Sequence, residues 1–313
     1  MNAVSAASAR RVVLVTGPDL ASEALALLGD FQVVYAGKTP SDRDLVDLCA
    51  RHDPVAIVVR YGRIGAAAMD AAPGLRVVSK HGSGTDTIDK AAAAGRGVEV
   101  VAAVGANAAA VAEQAMALLL ACAKSVVTLD ARMRAGHWDK ATHKSVELEG
   151  RTVGVVGLGA IGLRFARMAD AMALRVLGHD PYAASPPAHV EPVDLETIWR
   201  EADFLSLHCP LTADNAKLLD ADTLGRCKRG VIVVNTARGG LIDEAALLAA
   251  VRSGQVAAAG LDSFATEPMV APHPFQEEPR IVLSPHIGGV TADAYVKMGV
   301  AAARNALAVL ARA

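Results

Sequence analysis

The stretch VGVVGLGAIG, residues 153–162, joins an apolar run to three glycines in a G-x-G-x-x-G spacing. Residues 153–156 predict a strand, and residues 160–168 predict an apolar-periodic helix. In this context Gly157 permits a tight turn, Gly159 lets the backbone approach a pyrophosphate, and Gly162 allows close helix–strand packing. Free N–H groups and the helix dipole favour phosphates there. The stretch therefore predicts a dinucleotide-binding turn; the alternative is a glycine turn used only for packing.

A carboxylate follows the next predicted strand. Asp180 ends the segment LRVLGHD, 18 residues after Gly162, which is near the spacing of a ribose-binding acid. Its carboxylate can accept from both ribose hydroxyls and would repel a 2′-phosphate. Pro181 and Tyr182 follow, with no arginine to bind that phosphate. This pattern predicts NAD rather than NADP.

Outward from this stretch, short β-rich runs alternate with helical runs on both sides. The alternation covers residues 12–103 and restarts at Arg151, which is typical of parallel α/β sheets. At about 150 residues per domain, a chain of 313 residues suggests two domains. Hydrophobic residues make up 52% and aromatics only 4%, so Ala, Val, Leu and Ile must build the cores.

Two segments interrupt this rhythm. Residues 107–135 form one long apolar-periodic segment, too long for a crossover helix in a small sheet. A last predicted helix, residues 292–311, follows the second group of strands. If it returned to the first unit, that domain would be discontinuous.

Charge and cysteine content exclude several classes of function. The net charge of −2 and the pI of about 6.5 favour neither nucleic acid nor an anionic membrane as a partner. The four cysteines contain no C-x-x-C pair, so neither a zinc site nor a redox pair is indicated. No uninterrupted apolar stretch reaches the roughly 18 residues of a membrane span. We therefore expect a reduced, cytoplasmic setting and no bound metal.

Three later strand ends carry side chains that could take part in catalysis. VIVVNTARGG delivers Arg238, AAAGLDSFATEP carries Asp262 and Glu267, and IVLSPHIGG delivers His286. Taken singly, each is an ordinary surface or turn residue. In open parallel sheets, however, ligands lie beyond the carboxyl ends of the strands. The guanidinium of an arginine can bind a carboxylate, and a histidine titrates near neutral pH. A nearby acid favours the charged form of the histidine. Together these residues predict an acid–base site.

These motifs together resemble the D-isomer-specific 2-hydroxyacid dehydrogenases over nearly the whole chain. Within that family the chain looks closest to phosphoglycerate dehydrogenases and to related hydroxypyruvate or glyoxylate reductases. It stops after one C-terminal helix, so the regulatory extension of many phosphoglycerate dehydrogenases, and serine feedback with it, is not expected. The matching pieces, in the family's order, are HGSGTDTID (81–89), NAAAVAEQ (107–114), ELEGRTVGVVGLGAIG (147–162), GHDPY (178–182), HCPLT (208–212), NTARGGLIDEAAL (235–247), LDSFATEP (261–268) and SPHIGGVT (284–291).

The resemblance implies a particular domain organisation. A flavodoxin-like substrate (catalytic) domain would comprise residues 1–103 and 289–313. A Rossmann NAD-binding domain would comprise residues 104–288, with a cleft between the two. Family members are usually homodimers, and the segment after Asn107 looks like the helix and arm that pair the subunits. The alternative for that segment is an ordinary core helix.

The resemblance also implies roles for single residues. His286 would be the acid/base, Glu267 its partner and Arg238 the substrate clamp, while Asp262 would hold the nicotinamide carboxamide. The residues expected to line the cofactor are Gly157, Gly159, Ala160, Ile161, Gly162, Asp180, His208, Cys209, Pro210, Thr236, Ala237, Arg238, Asp262, His286, Gly288 and Gly289.

The substrate residues are expected mainly in the first domain. The backbone at Ser83 and Gly84 would meet the substrate carboxylate, and Arg60 matches a position that binds the phosphate in phosphoglycerate dehydrogenases. The alternative for Arg60 is solvated surface charge. Ser83 and His81 depart from the family's usual apolar and small residues, which leaves specificity open. Ser263 replaces a usual valine, a change that the sequence does not explain.

The expected function is interconversion of a 2-keto acid and a D-2-hydroxy acid with NAD. Phosphoglycerate dehydrogenase and hydroxypyruvate or glyoxylate reductase are the specific alternatives. Glu267 argues against formate dehydrogenase, which pairs its histidine with glutamine, whereas phosphite dehydrogenase is harder to exclude. A non-catalytic NADH-sensing corepressor is the alternative from a different class.

Overall fold

The computed structural model describes residues 10–183 and 185–312, which divide into two compact units. Unit 1 combines the described residues up to Asn107 with those from Val290 onward, and unit 2 is Ala108–Gly289. These breaks lie within a few residues of the predicted domain boundaries. The assignment of a substrate role to unit 1 and a cofactor role to unit 2 remains a prediction.

Twelve strands run through the described residues. They are β1 Val12–Val15, β2 Gln32–Tyr35, β3 Ala56–Val59, β4 Val77–Lys80, β5 Glu99–Ala102, β6 Thr152–Val156, β7 Arg175–His179, β8 Glu191–Pro192, β9 Phe204–Leu207, β10 Val231–Asn235, β11 Val256–Leu261 and β12 Ile281–Leu283.

Helices separate most of these strands, and two 3₁₀ turns, Gly239–Leu241 and Pro274–Glu277, lie in unit 2. The α-helices are α1 Ser22–Leu27, α2 Asp42–His52, α3 Ala66–Asp70, α4 Lys90–Ala94, α5 Ala108–Lys124, α6 Val126–Arg134, α7 Gly162–Ala171, α8 Leu195–Glu201, α9 Ala221–Arg226, α10 Glu244–Ser253 and α11 Ala292–Leu310.

Unit 1 is built on a parallel five-stranded sheet in the order β2-β1-β3-β4-β5. This is the flavodoxin-like order, with helices on both faces. All four residues of β3 are buried, as expected for a strand covered on both sides. Helix α11 returns to this sheet: Ser79 Oγ donates to the Ala302 carbonyl at 2.8 Å, and Ala303 and Ala306 are fully buried.

Unit 2 is built on a parallel seven-stranded sheet in the order β12-β11-β10-β9-β6-β7-β8. All residues of β6 and β10 are buried, and an apolar cluster covers each face. The chain leaves β6 toward β7 on one side and later returns to β9 on the other. The strand order therefore reverses beside β6, as in a Rossmann fold, and the predicted α/β class with two parallel sheets is confirmed.

Helix starts follow local side-chain chemistry. Ser41 begins α2 with a reciprocal capping box: its Oγ accepts from Asp44 N at 3.2 Å, and its own N–H donates to Asp44 Oδ2 at 2.9 Å. A serine followed three residues later by an acidic residue is the sequence signature of this cap. Aspartate or threonine side chains cap α4, α8, α9, α10 and α11 in the simpler way.

The long apolar segment after Asn107 is not one helix. Helix α5 is largely buried, but the chain bends by 59° at Ser125, whose φ is 54°, and α6 buries no residue. The apolar pattern continues through Val126 and Val127, so composition concealed the break. The break between α5 and α6 is marked only by the left-handed backbone conformation of Ser125, which is uncommon for residues other than glycine.

Other differences concern short elements and one boundary. Helix α7 begins at Gly162 rather than at Ala160, because Ala160 and Ile161 belong to the turn. Helices α8 and α9 and the two-residue strand β8 were not predicted; the two helices lack the alanine runs that mark the shorter helices α3 and α4. No single described helix has the length and apolarity of a membrane span. Helices α5 and α6 reach that length and apolarity only when they are taken together across their bend, as core helices of other proteins also do.

Candidate functional site

The glycine turn after β6 depends on close backbone contacts. Gly157 has φ +95°, and a Cβ there would lie 2.6 Å from Cys209 N and 2.7 Å from the His208 carbonyl carbon. A Cβ on Gly162 would lie 1.9 Å from the Gly157 oxygen. Any side chain at either position would therefore force the turn apart.

Gly159 differs from its two neighbours because it faces open space. A Cβ built there would meet no atom within 4 Å. Among the described residues, the N–H groups of Gly159, Ala160 and Ile161 have no hydrogen-bond acceptor, and they lie at the start of the ten-residue helix α7. Open space, unsatisfied donors and the helix dipole are what a pyrophosphate requires, so this turn fits a dinucleotide.

Asp180 lies at the end of β7 and is linked to the glycine turn. Its Oδ2 accepts from Leu158 N at 2.8 Å and its Oδ1 accepts from Tyr182 N at 2.9 Å. Each oxygen retains a lone pair for a ribose hydroxyl. A cavity of about 440 Å³ lies beside it, lined by Leu158, Gly178, His179, Asp180, Ala183 and Pro186 together with Pro192, Val193 and Asp194.

The β9 end carries His208, Cys209 and Pro210. Ser206 Oγ lies 2.9 Å from His208 Nε2, and burial lowers the pKa of His208 to about 3, so the ring is neutral at ordinary pH. Burial raises the pKa of the Cys209 thiol, which argues against a nucleophilic role. The Pro210 carbonyl accepts from the Asn215 amide at 2.7 Å. These residues form packing and loop structure at the strand order reversal.

Arg238 lies after β10 in a turn that a buried amide organises. Asn235 Nδ2 donates to the Arg238 carbonyl at 2.9 Å, and Asn235 Oδ1 accepts from Ala237 N at 3.0 Å. Arg238 Nη1 donates to the Ala237 carbonyl at 2.7 Å. The Thr236 hydroxyl is buried without a partner among the described residues. Sequence reasoning missed the role of Asn235, although a fully buried amide ending an apolar strand was a usable signal.

Histidine and glutamate meet directly at the ends of β11 and β12. His286 Nδ1 lies 2.6 Å from Glu267 Oε2, and Glu267 Oε1 accepts from Phe264 N at 2.9 Å. The His286 and Glu267 side chains are 47% and 34% exposed, so the pair is accessible. Their geometry is that of a carboxylate orienting an imidazole.

The turn that carries His286 is held by Asp262. The carboxylate of this buried residue accepts from Ser284 Oγ at 2.6 Å, Ile287 N at 3.0 Å and Gly288 N at 2.8 Å. Gln114 from α5 donates to Ser284 Oγ at 3.1 Å. Sequence reasoning missed Gln114 and Ser284, because their roles depend on contacts distant in the chain. A contact between Asp262 and the nicotinamide carboxamide remains a prediction.

The predicted substrate residues of unit 1 lie after β3 and β4. Ser83 is exposed, and the N–H groups of Ser83 and Gly84 donate to no acceptor within residues 10–183 and 185–312. Gly82, before them, has φ +133°, which glycine adopts without strain. Arg60 is engaged in an ion pair with Asp19. Binding of a substrate phosphate by Arg60 remains a prediction.

The sheet of unit 2 brings the predicted catalytic residues to one edge. The ends of the neighbouring strands β10, β11 and β12 carry Arg238, Glu267 and His286, and the glycine turn ends β6 at the same edge. No cluster of three or more potential metal ligands exists among the described residues. A glycine turn and an imidazole–carboxylate pair at one sheet edge fit a nucleotide and acid–base chemistry, and the catalytic roles of these residues remain predictions.

A comparison with family models decides the membership. Residues 116–288 match the D-isomer specific 2-hydroxyacid dehydrogenase, NAD binding domain. The chain belongs to the D-isomer specific 2-hydroxyacid dehydrogenase family. The match covers the glycine turn, Arg238, Glu267 and His286, so the predicted family and the predicted NAD cofactor are confirmed.

Individual relatives agree with this family. D-3-phosphoglycerate dehydrogenase of Mycobacterium leprae is 41% identical over 303 residues, which cover 96% of this chain but only 57% of that protein. Hydroxypyruvate reductase of Thermotoga maritima is 40% identical over 252 residues, covering 78% of this chain and 81% of that protein. The solved structure of the TT0316 protein from Thermus thermophilus has a TM-score of 0.88 at 36% identity, covering 96% of this chain and 97% of its own.

Proposed function

We propose that this protein is an NAD-dependent oxidoreductase that interconverts a 2-keto acid and a D-2-hydroxy acid. The observation that carries the proposal is the contact of 2.6 Å between His286 and Glu267, at the sheet edge that also ends in the glycine turn. When bound, the nicotinamide supplies or accepts the hydride. The N–H groups of the turn would hold the pyrophosphate, and Asp180 would hold the ribose.

His286 provides the proton in this proposal. Since its Nδ1 is paired with Glu267, the Nε2 atom is the one that donates to the keto oxygen during reduction and receives the proton during oxidation. The carboxylate of Glu267 stabilises the imidazolium and fixes the ring. General acid–base help of this kind contributes typically about 10²- to 10⁴-fold in rate.

Arginine and backbone donors would bind the substrate carboxylate. The guanidinium of Arg238 offers a planar fork that matches a carboxylate, and its charge polarises the neighbouring carbonyl. Within unit 1, the N–H groups of Ser83 and Gly84 donate to no acceptor among the described residues, so we expect them to be available to an anion. A small 2-keto acid is also supported by relatives named D-3-phosphoglycerate dehydrogenase and hydroxypyruvate reductase.

A direct assay tests the proposal. The full chain would be given NADH with glyoxylate, hydroxypyruvate, 3-phosphohydroxypyruvate or larger 2-keto acids, and the loss of NADH absorbance would be followed. Consumption that depends on one of these acids is the expected result, with the corresponding 2-hydroxy acid as product, in the D configuration wherever C2 is a stereocentre. NADH binding without consumption in the whole panel would instead support a non-catalytic NADH-sensing protein.

We also propose that the protein is a homodimer that pairs through α6 and the residues after it. Helix α6 buries none of its residues, and Val126, Val127, Met133 and Trp138 are each more than half exposed. Exposed apolar side chains in this number favour a protein interface. Light scattering after size exclusion measures the mass; a monomer at micromolar concentration would contradict the assignment.

A cytoplasmic location is part of the same proposal. All four cysteines are free, and three of them, Cys49, Cys122 and Cys227, are buried. Free thiols suit a reducing compartment. Fractionation of the source cells tests this location.

A further inference from the structure

The topology of unit 1 marks a ligand position at one sheet edge. In the order β2-β1-β3-β4-β5, the chain goes from β1 to β2 on one side and then crosses to β3 on the other side, so the strand order reverses at β1. Parallel sheets bind ligands beyond the carboxyl ends of the strands at such a reversal. Asp19 lies shortly after β1 and Arg60 directly after β3. The two side chains therefore lie where the fold favours a ligand.

Arg60 is committed to partners inside unit 1. Its Nη1 donates to Asp19 Oδ1 and to the Asp19 carbonyl, the latter at 2.7 Å. The Tyr295 hydroxyl, from the first turn of α11, donates to the same Asp19 Oδ1 at 2.7 Å. The guanidinium carbon of Arg60 lies 4.9 Å from the centre of the Tyr295 ring, and its side chain is only 12% exposed. A carboxylate within the cluster thus offsets its positive charge.

His81 adds a neutral group rather than a second positive charge. It follows β4, it is 9% exposed, and its ring centre lies 5.6 Å from that of Tyr295. Burial, and then the charge of Arg60, lowers the pKa of His81 to about 4. Its Nε2 has no hydrogen-bond partner among the described residues. A buried imidazole nitrogen in this state suits a neutral hydroxyl or carbonyl group.

Lys80 is the other cation beside this cluster. Its Nζ donates to the Arg60 carbonyl at 3.3 Å, so it too is engaged by the protein. A phosphate dianion at this edge would meet the negative charge of Asp19 and would have to compete with it for Arg60. A carboxylate placed in this way is a repulsive element, which commonly sets specificity.

We propose that Asp19, by pairing with Arg60, makes this edge of unit 1 select 2-keto acids whose far end is uncharged and reject those that carry a phosphate. The inference rests on the proposed function above and names its substrate class. Asp19 is then the specificity-determining residue, with Tyr295 holding its carboxylate in place.

Two substrates that differ only by the phosphate group test this. The kcat/KM of the full chain with NADH would be measured for hydroxypyruvate and for 3-phosphohydroxypyruvate. We expect the wild type to favour hydroxypyruvate. Asp19→Asn removes the charge and keeps the shape, so the ratio should shift toward the phosphorylated acid by about tenfold or more, the scale of one charged hydrogen bond.

Asp70→Asn is the matched control. Asp70 is also in unit 1 and is also paired with an arginine, Arg96, at 2.7 and 2.8 Å, but it lies on α3 away from the β1 and β3 ends. This variant should leave the ratio unchanged. A wild type that prefers the phosphorylated acid, or an active Asp19→Asn enzyme with the wild-type ratio, would overturn the inference.

Tyr295→Phe keeps the test decisive if Asp19→Asn fails to fold. It removes one hydrogen bond from Asp19 and leaves the ring over Arg60, so the ratio should shift in the same direction by a smaller factor; an unchanged ratio would again overturn the inference. Wild-type turnover with neither acid, nor with any other 2-keto acid, would refute the proposed function and this inference with it. If the wild type turns over a 2-keto acid but the variants keep its ratio of the two kcat/KM values, the inference is refuted and the proposed function stands.

Discussion

Both units place a histidine in the turn that follows a strand of a parallel sheet, yet the two histidines have opposite surroundings. His286, after β12, is about half exposed, and its Nδ1 lies 2.6 Å from a carboxylate. His81, after β4, is buried beside a guanidinium, and its Nε2 has no hydrogen-bond partner among the described residues. A place at a strand end is therefore not enough for proton chemistry. The partner and the exposure decide whether the ring can exchange a proton.

The two sheet edges differ in how their charged groups are held. At the edge of unit 1, Asp19 forms an ion pair with Arg60; at the edge of unit 2, Asn235 holds the turn that carries Arg238, and Glu267 contacts His286. One sheet edge thus holds compensated charge, and the other holds an accessible acid–base pair.

The largest effect should come from His286→Ala. If His286 is the acid/base, kcat for keto-acid reduction should fall by about 10²- to 10⁴-fold, while NADH binding is retained. Steady-state kinetics and NADH fluorescence titration measure the two quantities. His52→Ala, at the last turn of α2, is the control and should keep wild-type turnover. A His286→Ala variant with the wild-type kcat would show that His286 is not the acid/base, and the contrast between His286 and His81 would then have no functional meaning.

Glu267→Gln should have the next largest effect. Its amide oxygen can still accept from Phe264 N, so the loop should keep its conformation while the charge is lost. We expect kcat to fall on the order of 10- to 100-fold, the equivalent of one charged hydrogen bond. Steady-state kinetics of the variant and the wild type measure the change. Turnover at the wild-type rate would argue against the pairing.

His81 should control stability rather than proton transfer. Its pKa is lowered from 6.5 to about 4 in the folded state, so between these pH values the unfolded chain binds more protons and stability falls as the pH falls. The contribution lost between pH 7 and pH 5 is about 2 kcal/mol. Urea unfolding of wild type and His81→Asn at both pH values measures it. The variant should lose less stability than the wild type; equal losses would contradict the buried, neutral state.

The smallest effects are expected from alanine substitutions at two glycines of the same turn, Gly159 and Gly162, and they should differ in kind. Gly159→Ala adds a methyl group in open space, so we expect an unchanged unfolding free energy but NADH binding weaker by about tenfold, since the methyl group occupies the pyrophosphate position. Gly162→Ala forces a Cβ against the Gly157 oxygen and should destabilise the fold by about 1–3 kcal/mol. Calorimetry of each variant with and without NADH distinguishes the two results. Equal unfolding free energies would show that Gly162 is not needed for packing.

Much of the fold was predictable because its signals are local. The alternation of strands and helices, the Ser41 cap and the glycine spacing each depend on residues a few positions apart. The two short helices α8 and α9 were missed because they lack the alanine runs that mark α3 and α4 and contain weaker helix formers such as threonine and glycine. The break at Ser125 was missed because the apolar pattern crosses it unchanged.

The candidate site was predictable only in part. The motifs indicated Arg238, Glu267 and His286, and the sheet order explains why three strand ends can cooperate. The residues that support them were not visible, since Gln114 reaches Ser284 across 170 positions of sequence. No local pattern can report such a contact.

The sequence by itself determined the α/β class, the dinucleotide turn and the family, because period, glycine spacing and motif order are properties of neighbouring residues. Only the tertiary structure decided the chemical state of each charged group. Tyr295 and Asp19 are separated by 276 positions yet share a hydrogen bond, and that contact helps to set the charge around Arg60. The physical reason is that protonation and pairing depend on burial and on the nearest partner in space, which the order of residues does not record.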